Sequence, residues 1–215
     1  MRFQLYWYFV GMTVFGLSST GHGEISTELI IDGGFEYIEG MAPGGTSFPW
    51  GVDGEDGDWS VTTSGHEATD LPENVFHSGS QSVFFNWNGD SAYLYQTIFG
   101  TAFDSSRSYE ASFWMYSYDD GKGKTAATKI KMNLFVRKNS GSDWVLVDSF
   151  TGEVANTQPN RWEQFKGTIH GERYPQYNGW EMQLRIVKMY NPDGPYKYDI
   201  GIDDVSFGIS ADSLN

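Results

Sequence analysis

The chain has 215 residues, 28 acidic against 14 basic side chains, and a formal charge of −14 at pH 7. That balance repels nucleic acid and anionic membranes, so neither is expected as a partner. There is no cysteine, which excludes disulfide stapling and thiol chemistry.

Residues 1–23 read as a signal peptide: Arg2 gives a charged start, residues 5–17 an apolar run and residues 18–23 a small-residue exit. The run is too short to span a bilayer comfortably, so no membrane insertion is expected after its removal. The mature chain is expected to be secreted, periplasmic or at the cell surface. Removing the segment takes away Arg2 and no acid, leaving 13 basic and 28 acidic side chains and a formal −15. Residues 24–209 then read as one domain, with 210–215 as a short tail.

Seventeen per cent aromatic residues and 26 glycines, with short alternating segments between turn clusters, predict an all-β chain. Residues 29–31 open it, followed by Asp32-Gly33-Gly34-Phe35-Glu36 and a Gly- and Pro-rich loop over 39–59. The acids at 53, 55 and 56 do not meet the alternating ladder of a calcium loop, so that segment reads as solvated. Strands are expected at 59–63, 82–87 and 92–99, the last two joined as a hairpin by Asn88-Gly89-Asp90. Residues 108–118 put Tyr109, Ala111, Phe113 and Met115 on one face and Glu110, Ser112, Trp114, Tyr116 and Tyr118 on the other. Residues 129–137 turn Ile130, Met132, Leu134 and Val136 inward and Lys129, Lys131, Asn133, Phe135 and Arg137 outward. Strands at 144–150, 162–169 and 180–187 follow, the last with Glu181, Gln183 and Arg185 outward.

The final strand, 196–208, holds Asp199, Asp203 and Asp204 in an otherwise apolar, glycine and aromatic segment. A buried carboxylate needs a cation or a set of donors to remain there. If the first and last strands lie side by side, Glu36 meets Asp203 and Asp204 over one hard cation, which takes six to eight oxygen ligands. The other reading is that Glu36 and one Asp cap backbone N–H groups at strand ends, with no metal.

The ordered set Gly34-Phe35-Glu36, His77-Ser78-Gly79-Ser80-Gln81-Ser82, Tyr109-Glu110-Ala111-Ser112-Phe113-Trp114, Trp162-Glu163-Gln164-Phe165-Lys166-Gly167 and Ile202-Asp203-Asp204-Val205-Ser206-Phe207 resembles jelly-roll carbohydrate-binding modules. The resemblance is to the galactose-binding-like superfamily that includes xylan- and β-glucan-binding modules, and covers about residues 28 to 208. It implies a two-sheet antiparallel β-sandwich (jelly roll). It also implies a structural calcium remote from any sugar, held by Glu36, Asp203, Asp204 and carbonyl oxygens of Gly34 and the turn containing Ser80.

The sugar-binding expectation rests on one outward face. Trp114, Tyr116 and Tyr118 project beside Lys131, Asn133, Phe135, Arg137, Gln183 and Arg185, provided those strands are neighbours. Flat rings meet the C–H faces of pyranoses, and amides and guanidinium groups satisfy hydroxyls that lose water. Trp59, Trp162 and Tyr109 are assigned to the core. Trp50, Trp87, Tyr174, Tyr177, Tyr190 and Tyr196 form an alternative site at the loop edge. No serine elbow, zinc-protease motif or phosphate loop occurs, and the acids nearest a hydrolytic role are Glu110 and Glu181. The expected function is therefore an exported, non-catalytic polysaccharide-binding protein. The alternatives are a self-associating surface or filament protein and a small polysaccharide lyase or glycosidase.

Overall fold

Period-two alternation decides the architecture: a strand with one apolar row is stable only when that row lies against a second layer. The computed structural model describes residues 25–36, 46–47, 50–53, 59–63, 76–85, 93–117, 128–154, 160–189 and 200–214. The proposed signal peptide, Tyr118, Trp87, Tyr190, Tyr196 and Asp199 lie outside them, as does the side chain of Trp59. The strands are β1 (Ile25–Glu28), β2 (Thr46–Ser47), β3 (Trp50–Asp53), β4 (Trp59–Thr63), β5 (Gln81–Phe85), β6 (Tyr93–Ala102), β7 (Ser108–Ser117), β8 (Thr128–Arg137), β9 (Val145–Val154), β10 (Trp162–His170), β11 (Glu181–Lys188) and β12 (Ile200–Ser210). They form two six-stranded sheets. The first runs β10-β7-β12-β5-β4 with β1 beside β12, and the second runs β2-β3-β6-β11-β8-β9. Pairing is antiparallel throughout, which makes the chain a two-sheet jelly-roll sandwich. Among the described residues no helix is long and apolar enough to cross a membrane.

Alternate residues of both sheets meet in the core, with Phe85, Phe113 and Ile202 of the first sheet and Leu94, Leu134 and Leu184 of the second fully buried. Tyr109 is there as expected, its ring stacked between Phe103 (5.5 Å) and Phe207 (5.6 Å). Its hydroxyl accepts the Asp104 N–H at 2.7 Å, and burial pushes its pKa up to about 12.

Three expectations about the chain path change. Asn88-Gly89-Asp90 lies outside the described residues, and the strands on either side of it are not hairpin partners: β5 pairs with β4 and β12 in one sheet while β6 pairs with β3 and β11 in the other. All five residues of β5 are buried, and that burial, obtained between two partner strands, outweighs a local turn signal. The first strand lies upstream of residues 29–31, with Ile25 opposite Ser210 and Glu28 opposite Gly208. The expected loop over 39–59 contains β2 and β3, and Trp50 is fully buried there. Its indole N–H donates to the Asp32 carbonyl at 2.8 Å, so Trp50 belongs to the core and not to an edge site. The first and last strands are neighbours, as the acids at both ends required.

Candidate functional site

The two outer faces of the sandwich are built differently. On the first sheet, β12 loses register with β7 between Asp203 and Ser206, and Asp204 takes a left-handed φ of 45°. Such a bulge re-aims side chains, and Asp is among the residues that tolerate this φ. Asp203 Oδ2 accepts the backbone N–H groups of His77 (2.8 Å) and Ser78 (3.1 Å), and Oδ1 accepts that of Asp204 (2.7 Å). Asp204 accepts the Ser78 hydroxyl (2.7 Å) and contacts His77 Nδ1 (2.6 Å). Glu36 accepts the N–H groups of Ser80 (2.8 Å) and Gln81 (3.2 Å) on Oε1 and the Ser80 hydroxyl (2.7 Å) on Oε2. The turn needs glycine at 79, where φ is 63° and a Cβ would stand 1.9 Å from Glu36 Oε1. Asp203 is fully buried. Burial pushes its carboxyl up to about 7, against the Ser78 N–H that favours its charge and with the Asp204 charge adding to the rise.

The residues expected to hold calcium are thus gathered. Gly34 lies between the acids, with a Cβ there 3.5 Å from Asp204 Oδ1 and 3.8 Å from Glu36 Cγ, and Ser80 is bound to Glu36. What they bind here is the donor groups of residues 77–81 and 204. Every oxygen of the three carboxylates has such a contact, and N–H groups repel a cation. Among the described residues no set of three acidic or histidine side chains converges to hold an ion. As arranged, the cluster does not fit calcium.

The same turn roofs the aromatic rings of β7. The His77 ring stacks on Trp114 with centroids 3.7 Å apart and planes 16° apart, and meets the edge of Trp162 at 6.0 Å. Tyr116 is buried against Trp162 and Phe84. Trp162 is therefore a half-buried residue of this outer face and not of the core. Glu110, also on this face, is buried with the Thr168 hydroxyl donating to it at 3.0 Å.

On the second sheet, antiparallel register lines up cross-strand rows on the outer face. Tyr95, Arg185, Asn133 and Ser149 form one row; Thr97, Gln183, Phe135 and Leu146 form the next. Neighbours in a row stand about 4.5–5.5 Å apart at Cβ. Arg185 is held in place by its surroundings. Its guanidinium carbon lies 4.0 Å from the centre of the Phe135 ring and 5.1 Å from that of Tyr93. Its Nε donates to Gln183 Oε1 at 2.6 Å, and Gln183 Nε2 donates in turn to Thr97 Oγ1 at 3.0 Å. The Tyr95 ring lies across Gly51, where a Cβ would stand 2.3 Å from Cζ. Asn133 Oδ1 is buried without a hydrogen-bond partner, a state that costs about 1–3 kcal/mol. Leu146 is 49 % and Phe99 75 % exposed.

The face expected to carry Trp114, Tyr116, Lys131, Asn133, Gln183 and Arg185 together does not exist. Trp114 and Tyr116 lie on the first sheet, and the other four on the second, facing the opposite way. The strands β7 and β8 follow each other in sequence but belong to different layers, while β8 and β11 are true neighbours. Glu110 and Glu181 are separated in the same manner, and Glu181 pairs with Arg137 at 2.7 Å, so these two acids do not face each other across a cleft. Tyr174 and Tyr177 pack partly buried against the core. Sequence reasoning overlooked Tyr93 and Tyr95, which the alternation of 93–97 marks as outward, and His77, whose partner is 127 residues away.

No protein-family model matches the sequence, and no curated protein matches it. Solved structures do. The CBM22-1–GH10 modules of Clostridium thermocellum endo-1,4-β-D-xylanase 10B, complexed with xylohexaose, match at 16 % identity and TM-score 0.52, over 85 % of this chain and 28 % of that one. The CBM22-1–CBM22-2 tandem domain of Paenibacillus barcinonensis Xyn10C matches at 15 % identity and TM-score 0.50, over 90 % of this chain and 47 % of that one. The C-terminal family 22 carbohydrate-binding module of C. thermocellum Xyn10B matches at 15 % identity and TM-score 0.47, over 77 % of this chain and 88 % of that one. The chain spans less than half the length of the first two structures. At such identities the likeness is one of fold: the chain has the jelly-roll sandwich of carbohydrate-binding modules.

Proposed function

We propose that the chain is an exported, non-catalytic carbohydrate-binding protein that holds a polysaccharide on the outer face of the second sheet. The observation that carries this reading is the lattice of Tyr93, Tyr95 and Phe135 rings interleaved with Gln183, Arg185 and Asn133. Half-exposed rings offer flat apolar surface to pyranose C–H groups, and the amides and guanidinium supply donors and acceptors for hydroxyls. Because Arg185, Gln183 and Thr97 already hold one another, little of their side-chain entropy is lost when a sugar arrives. The xylohexaose held by the structurally similar xylanase modules makes that hexamer the natural first probe, alongside a glycan array.

Phe135→Ala removes the ring beneath the sugar and one wall of the guanidinium. It should weaken binding of the best neutral oligosaccharide by about 1–2 kcal/mol, roughly 5- to 30-fold, with the melting temperature little changed. Unchanged affinity would remove the site from this face. Reducing ends or unsaturated products appearing in the same mixture would instead point to a glycosidase or lyase, and concentration-dependent self-association to a surface or filament subunit. Export is read from residues 1–23 and is checked by the N-terminus of the secreted protein.

A further inference from the structure

We propose that the glycan bound on this face carries carboxylates, as in a uronic-acid-containing polysaccharide, and that Arg185 is the carboxylate receptor. This rests on the binding reading above and adds the charge of the ligand to it.

The chain has twice as many acids as bases, and several of its described cations sit in ion pairs. Arg137 bonds Glu181 at 2.7 Å, Lys129 bonds Glu153 at 3.0 Å, and Arg161 bonds Glu163 at 2.7 Å. Arg185 has no carboxylate partner among the described residues. Its neighbours in the row are Tyr95, Asn133 and Ser149, and along its own strand Gln183 and Val187, all uncharged. Lys131, diagonal to it on β8, likewise has no acid among the described residues. Among the described residues, then, Arg185 and Lys131 are neighbouring cations with no acid paired to either.

The way Arg185 is held narrows the ligand. Rings stand against the guanidinium at 4.0 and 5.1 Å, so its planar surfaces are engaged by apolar groups. Nε is spent on Gln183, and the two terminal nitrogens have no hydrogen-bond partner among the described residues. A planar fork with its faces covered and its two terminal nitrogens unused matches the two oxygens of a carboxylate end-on. A single hydroxyl presents one oxygen to the two nitrogens and no charge. The net charge repels polyanions at long range, but at 0.15 M salt that field decays within about 8 Å, so a short acidic oligosaccharide feels mainly the local pair.

The test uses the whole protein at 0.15 M salt. Hexamers of polygalacturonate, alginate and glucuronoxylan are each titrated against their carboxyl-reduced counterparts, which keep the sugar backbone and lose only the charge. Wild type should bind at least one acidic hexamer tenfold or more tighter than its reduced form. Arg185→Gln should bring that ratio to about one, Arg185→Lys should leave a ratio of only a few-fold because the fork is lost, and melting curves verify that both variants are folded. Equal binding of acidic and reduced forms by wild type would overturn the carboxylate proposal and leave carbohydrate binding standing. No binding of either form, with neutral hexamers also silent, would overturn both. A sulfated hexamer held as tightly as the acidic one would also overturn it, since it would show simple charge attraction in place of carboxylate recognition.

Discussion

The two outer faces of this sandwich start from the same pattern and end differently. Both alternate rings with polar groups, yet on the first sheet the chain's own turn covers them: His77 lies on Trp114, and Asp203, Asp204 and Glu36 hold that turn from segments far away in sequence. On the second sheet the rings flank a guanidinium that no carboxylate neutralises among the described residues. Alternation establishes that a side chain leaves the core. It does not establish whether solvent, a ligand or another part of the chain lies above it.

The largest expected effect breaks the covered face. Asp203→Ala removes the buried acceptor of three part-buried backbone N–H groups and should cost about 3 kcal/mol or more. That corresponds to roughly 6–12 °C in melting temperature for a domain of this size, measurable by calorimetry. An unchanged melting curve would mean that the clip does not hold the turn.

A pH series sharpens the same point. The Asp203 carboxyl titrates near 7 when folded against 3.8 as the ordinary value, so the folded state binds the extra proton between them. Its contribution is fully present below about 4 and is lost as pH rises through 7, on the order of 1–3 kcal/mol. Asp203→Asn should flatten this part of the stability profile from pH 5 to 8. Wild type and variant running parallel would contradict the buried-acid account.

Next in size, Trp114→Ala should lower stability by about 1–3 kcal/mol, since it removes a stacked, half-buried ring, and should leave glycan affinity unchanged. A loss of affinity without a loss of stability would exchange the roles of the two faces. The smallest effect expected is that of a chelator. With the acids bound to N–H and O–H donors, EDTA should leave the melting temperature within about 1 °C, because nothing that binds only the folded form is withdrawn. A large drop would restore the calcium clip that the sequence resemblance implies.

Much of the sandwich was legible because period-two alternation is a local property. Residues 108–117, 128–137 and 181–188 announce their inward rows without reference to anything else. The pairing of the first and last strands was legible for a different reason: acids in apolar segments need partners, and only each other's neighbourhoods offered them. What could not be read was layer assignment. Whether β7 and β8 share a sheet depends on how the chain crosses between layers, which neither strand encodes. The grouping of Trp114 with Arg185 failed for that reason alone, while Asn133, Gln183 and Arg185 stayed together because β8 and β11 pair directly. The hairpin at Asn88-Gly89-Asp90 failed similarly, a local turn signal set against the burial of β5.

The proposed ligand face is the one bearing Arg185 and not the one bearing Trp114. An amide-resolved NMR titration with the oligosaccharide bound best on an array tests it most directly. Resonances of Tyr95, Phe135, Gln183 and Arg185 should shift with saturation, while those of Trp114, Gln164 and Ser206 stay in place. Saturable shifts confined to the second group would contradict it.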